Sequence, residues 1–125
     1  PQDIALIDAK KGLKMFEKVG IPILGVVENM AVHICSHCGH AEHIFGSEGA
    51  ARMAAQYGLE LLASLPLAMN IRAQADSGTP TVVAEPDGPT AALYKDLARK
   101  VAVKIAAQSK DYSAKFPTIT VSKGT

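Results

Sequence analysis

Ile23-Leu24-Gly25-Val26-Val27 is apolar at every position apart from one glycine. A continuous run this short suits a strand covered on both faces, as in a parallel sheet. Upstream, Leu6, Ala9, Leu13 and Phe16 recur at spacings of three and four, while Lys10, Lys14 and Glu17 take another face. That periodicity predicts an amphipathic helix over residues 3–19, ended by Gly20, with Ile21-Pro22 opening the next element. Helix, glycine turn and buried strand make half of a βαβ unit. The chain opens on Pro1 rather than Met and reads directly into a helix, which makes an excised fragment the expectation.

Downstream the same grammar repeats. Ser47 is the expected N-cap of a second helix, with Glu48 placed favourably near its positive end. Ala50, Met53, Ala54 and Tyr57 mark its apolar stripe, and Gly58 stops it. Leu59 to Leu65 reads as a second short strand closed by Pro66, and Met69 to Ala75 as a helix ended near Gly78. Thr81-Val82-Val83-Ala84 reads as a short extended segment between Pro80 and Pro86. From Pro89 to Gln108, Leu93, Leu97, Val101 and Ile105 line one side of a long helix. Residues 109–125 are polar apart from Phe116 to Val121, and a poorly ordered tail is expected there. The fold class is α/β, with residues 1–108 as the folded part. Two central strands are too few to stand alone, so the parallel sheet is expected to be incomplete in this chain.

Composition narrows the function classes. The 125 residues are 48% hydrophobic and 20% charged, the profile of one ordinary domain or a piece of one. Thirteen basic and twelve acidic side chains leave a net charge of +1, which gives no electrostatic case for nucleic acid or an anionic membrane as main partner. No apolar run is long enough to span a bilayer, and Pro1-Gln2-Asp3 is not a signal peptide. Two cysteines are too few for a disulfide scaffold, so a reducing, cytoplasmic setting is the default.

The chemistry is concentrated in residues 28–46, which break all periodicity. Both cysteines and all four histidines fall in His33-Ile-Cys35-Ser-His37-Cys38-Gly-His40-Ala-Glu-His43. The Cys35-x-x-Cys38 spacing lets two sulfurs converge on one metal or cluster, and Gly39 permits a sharp turn. Thiolates suit zinc, copper(I) and iron–sulfur clusters. Four readings stand. A zinc site within the chain would borrow His40 and His43, although the usual dozen-residue gap between ligand pairs is missing. A thioredoxin-like redox pair would sit at a helix N-terminus directly after a strand, and this one does not. The cysteines can also be unremarkable loop residues. Finally, the pair can be a half-site completed by a second chain, since a [4Fe-4S] cluster takes four thiolates. Composition puts the half-site first without closing the others. His33, His37, His40 and His43 are expected to be solvated loop residues, not cluster ligands.

Asn29-Met30 followed by Cys35-Ser-His-Cys38-Gly39 resembles the Mrp/ApbC family of iron–sulfur carrier P-loop ATPases. Pro1-Gln2-Asp3 with Asp8-Ala9 and Lys11, Gly25 to Met30, Ile44-Phe45-Gly46 with Gly49-Ala50, Leu65-Pro66-Leu67, Ile71-Arg72 and Gly78-Thr79-Pro80 extend the likeness over about residues 1–107. The family is similar to the nitrogenase iron protein and other NTPases with a deviant Walker A loop. This chain has no Gly-rich lysine loop. The resemblance therefore implies the C-terminal half of a P-loop NTPase-like parallel sheet flanked by helices, inactive alone in ATP hydrolysis, with ATP and Mg held by the full-length parent. It further implies a homodimer whose Cys35 and Cys38 ligate a [4Fe-4S] cluster bridging two chains. Zinc is a possible occupant of the same thiolates in aerobic preparations. Recipient apo iron–sulfur proteins are the implied partners. Asn29 matches the residue that faces adenine in this fold class, and Pro66 lies in the loop expected to border the same base. The plain alternative for Asn29 is a turn residue closing its strand.

Overall fold

The computed structural model describes residues 1–108, and the expected tail at 109–125 lies outside them. The chain runs through α1 (Asp3–Lys18), β1 (Val26–Glu28), β2 (His33–Ile34), β3 (Ala41–Glu42) and α2 (Gly49–Gln56). It continues through β4 (Leu61–Ser64), α3 (Met69–Asp76), α4 (Thr81–Ala84) and α5 (Pro89–Ala107). β1 and β4 pair in parallel, with Val26 opposite Leu61, Val27 opposite Ala63 and Glu28 opposite Ser64. A small antiparallel hairpin, β2–β3, pairs His33 with Glu42 and Ile34 with Ala41.

The parallel association extends beyond its named strands. Val26 N–H donates to Glu60 O at 2.8 Å, Leu65 N–H to Glu28 O at 2.8 Å and Ala31 N–H to Leu65 O at 2.9 Å. Leu67 N–H then donates to Val32 O at 2.8 Å, and His33 forms a parallel bridge with Leu67. α2 covers this pair and touches α1, while α5 packs on β4. Two ammonium groups hold α5 there: Lys100 Nζ donates to Leu62 O at 3.0 Å, and Lys104 Nζ meets Glu60 Oε2 at 2.8 Å. The Lys104 contact keeps the Glu60 carboxyl below the usual carboxylate range.

Several expectations are corrected by tertiary context. Thr81–Ala84 is a helical turn, not an extended segment. Pro80 O accepts from Val83 N–H and Ala84 N–H at 2.8 and 3.0 Å, and Thr81 Oγ1 donates to Gln74 Oε1 at 2.7 Å. Among the described residues no strand lies beside the β-branched pair Val82-Val83, and local bonds decide. α2 is entered through Glu48 in the left-handed region (φ 60°) rather than capped by Ser47. The helix begins at Gly49, packed against the start of the chain: a Cβ there would stand 2.6 Å from Pro1 O. On α5 the buried side is Ala91, Tyr94, Leu97 and Val101, whereas Leu93 and Ile105 are 42% and 52% exposed. Steps of four overrun a 3.6-residue turn, so that row precesses off the contact face.

The core is made of Leu13, Ala31, Ala50, Met53, Ala54, Leu62, Leu65 and Ala91, and no large side chain among the described residues is fully buried. Gly25 sits close against it. A Cβ there would lie 2.7 Å from Glu60 O and 2.7 Å from Leu62 Cγ. Gly25→Ala is therefore expected to destabilise the chain by about 1–3 kcal/mol, the usual cost of overpacking. The readout is a lower urea midpoint at constant slope. An unchanged midpoint would mean that Glu60 and Leu62 yield freely.

Candidate metal centre and flanking cleft

The cysteines sit at the tip of the β2–β3 hairpin. Cys35 N–H donates to His40 O at 2.9 Å, continuing the hairpin ladder, and Gly39 N–H donates to Cys35 O at 2.8 Å. Gly39 closes that turn at φ +73°, a conformation glycine adopts without a Cβ penalty. Both thiols are free, Cys35 half-buried and Cys38 exposed.

The tight turn aims donors at one sulfur. Backbone N–H groups of Cys38 and His37 hydrogen-bond the Cys35 sulfur, with a smaller contribution from the Cys38 side chain. They outweigh desolvation and the nearby Glu42 charge, so the Cys35 thiol is held below its ordinary value. The thiolate is both the metal ligand and the nucleophile. The turn thus favours the form that binds metal.

Among the described residues, no group of three or more His, Cys, Asp or Glu side chains is placed to hold a metal ion. The zinc site built from Cys35, Cys38, His40 and His43 is therefore not assembled within one chain. His40 Nε2 instead stands 3.8 Å from Glu42 Oε1. His43 Nδ1 donates to Ala31 O at 2.9 Å, and His33 Nδ1 donates to Leu67 O at 3.2 Å. His33 and His43 are thus bonded to backbone rather than simply solvated. Nothing in their sequence spacing points to those two carbonyls.

Asn29 and Pro66 follow β1 and β4 at the same end of the parallel pair, linked through the Ala31–Leu65 hydrogen bond. Asn29 Oδ1 accepts from Met30 N–H at 2.9 Å, and Met30 adopts φ 55°. Its carbonyl closes the turn, and its amide N–H₂ has no hydrogen-bond partner among the described residues. Asn29 also lines an open, mostly apolar cleft of about 380 Å³ with Ala5, Leu6, Val27, Glu28 and Phe45. Pro66 is half-buried outside it. Glu28 is only 8% exposed; its Oε2 accepts from Ser64 Oγ at 3.3 Å, while its Oε1 is buried without a partner among the described residues. Sequence reading overlooked Glu28, which directly follows the apolar run 23–27 and gives no separate signal.

A family model described as ParA, NUBPL iron-transfer P-loop NTPase matches residues 1–102. An iron–sulfur cluster carrier protein of Pseudomonas fragi is 66% identical over 98 residues, covering 78% of this chain and 34% of that protein. The cell division ATPase MinD of Pyrococcus furiosus superposes with a TM-score of 0.59 at 26% identity, over 78% of this chain and 37% of its own. A nucleotide-binding protein of Archaeoglobus fulgidus, solved with ADP, gives 0.52 at 30% identity, over 64% and 32%. The chain spans about a third of the length of each of these proteins.

The Cys35 environment makes its own prediction. In Cys38→Ser, which leaves the two backbone donors in place, the pH midpoint of iodoacetamide reaction at Cys35 should still lie below that of a free cysteine. A midpoint at or above the free-cysteine value would show that the turn does not direct its N–H groups at the sulfur.

Proposed function

The chain belongs to the NUBPL iron-transfer P-loop NTPase family, and on that premise we propose that it takes up an iron–sulfur cluster on Cys35 and Cys38 for delivery to apo iron–sulfur proteins. The observation that carries the reading is the thiol pair at an exposed hairpin tip, with Cys35 biased toward the thiolate by backbone donors. The cluster is cargo. Two thiolates per chain fill half of a four-iron cluster's ligand set. No third ligand is in place among the described residues, which supports completion by the same pair from a second copy. An isologous contact then sets each hairpin opposite its mate, and cluster binding and dimerisation become linked. A reducing compartment such as the cytoplasm suits free thiols in this role.

Nucleotide enters through the base side only. Asn29, whose amide N–H₂ has no partner among the described residues, and the Pro66 loop are the residues proposed to border an adenine ring in the intact protein. A lysine loop for the phosphates does not occur in these 125 residues. No phosphoryl step is assigned to them. ATP supplies the energy-coupled step only where the rest of the P-loop domain is present.

Two measurements test this. Anaerobic reconstitution with iron and sulfide should load about one four-iron cluster per two chains, from the ligand count. Cys35→Ser or Cys38→Ser should abolish the cluster and the metal-dependent dimer together. A monomer retaining a full cluster would defeat the shared site, and a mixed disulfide without iron uptake would favour a dithiol redox role. Separately, the purified chain should hydrolyse ATP no faster than a protein-free blank. Turnover that survives removal of contaminating ATPases would show that phosphoryl chemistry resides in these residues.

A further inference from the structure

The hairpin that carries the thiols is too short to hold itself. β2 and β3 contribute two residues each and pair at two positions. An isolated two-stranded hairpin is marginal in water even when longer. Its tip residues, His37, Cys38, Gly39 and His40, are exposed, so burial does not fix them. Something else must set the direction in which the sulfurs face.

The backbone bridge between His33 and Leu67 docks one strand, and two imidazoles, one on each side of the hairpin, add to that hold. His33, within β2, donates from Nδ1 to Leu67 O at 3.2 Å, across 34 residues of sequence. His43, just past β3, donates from Nδ1 to Ala31 O at 2.9 Å. A carbonyl oxygen only accepts, so each Nδ1 carries the proton. Both acceptors belong to the hydrogen-bonded ladder that continues the β1–β4 pair, through Ala31–Leu65 and Leu67–Val32. One strand of the hairpin is thereby clamped to the segment after β4, and the other to the segment that leads into β2.

We propose that His33 and His43 are positioning residues of the metal centre: their Nδ1–carbonyl bonds orient the hairpin and hold the Cys35 and Cys38 sulfurs in a binding pose. The inference rests on reading those cysteines as the ligand pair. Neither histidine is a ligand in it. Outer-shell groups that orient ligands in this way commonly set metal affinity by 10–100-fold.

The test uses the untagged 125-residue chain, kept reduced, with Co(II) as probe. Affinity is read by chelator competition, and ligation by the thiolate-to-cobalt charge-transfer absorption per bound ion. His33→Ala and His43→Ala should each weaken Co(II) binding about tenfold, at the lower end of that range, with the absorption per cobalt unchanged. Asparagine sets an amide N–H where histidine carries Nδ1, so His33→Asn and His43→Asn should recover most of the loss, whereas glutamine should not. Where circular dichroism shows His33→Ala unfolded, His43→Ala, at an exposed position, decides alone. Unchanged affinity in the folded alanine variants, with binding lost in Cys35→Ser, overturns the positioning role and leaves the thiolate reading intact. A changed absorption per cobalt makes the histidine a ligand and likewise overturns it. Wild-type binding by Cys35→Ser and Cys38→Ser removes the thiolate reading, and the positioning role falls with it.

Discussion

Every functional feature of this chain is referred to one parallel pairing, residues 26–33 against residues 60–67. The pairing requires Gly25, because any Cβ there would collide with Glu60 O and Leu62. It places Asn29 and Pro66 at a common end and sets Glu28 beside Ser64. Its continuation past the strands supplies the carbonyls on which the hairpin is clamped. On its outer side it offers Leu62 O and Glu60 to the ammonium groups of α5. Loss of this register would displace the hairpin, the cleft and the last helix together, since a one-residue slip reverses every side chain across a strand.

Around that pairing the apolar packing is thin. The buried set is dominated by alanine and leucine, while Ile4, Ile7, Val19 and Val103 are each more than half exposed. A chain of this length ordinarily buries roughly two-thirds of its unfolded surface. The cleft beside β1 is lined chiefly by apolar side chains, and Glu28 carries a buried oxygen next to it that has no partner among the described residues. Such a group costs about 1–3 kcal/mol when left unmet. These features agree with a chain that spans about a third of its relatives' length.

The regular parts of the fold were legible where burial and periodicity coincide, although Phe16 on the expected α1 stripe and Val27 in the strand expected to be covered on both faces are 43% and 41% exposed. Leu13 on α1, Met53 and Ala54 on α2, and Leu62 and Leu65 around β4 are buried as their spacing implies. The sharp turn after Cys38 was legible too, since it depends on a glycine at positive φ. What escaped was set by distant partners. The β2–β3 hairpin has two pairs and no alternation long enough to read. The roles of His33 and His43 depend on Leu67 and Ala31, which no local pattern connects to them. Thr81–Ala84 has strand-like composition, but Gln74 and Pro80 draw it into a turn.

The hairpin lies inside the connection between β1 and β4, and its clamp partner Leu67 comes after both. During synthesis, Cys35 and Cys38 therefore emerge ahead of the carbonyl to which His33 is bonded. At about 5–20 residues per second, Leu67 follows Cys38 after roughly 1–6 s. Through that interval the thiols sit on a loop that lacks its His33 tether and has at most the His43–Ala31 one. Maturation of the thiol pair is thus scheduled by translation, and it is complete only once β4 and the segment beyond it have emerged and docked.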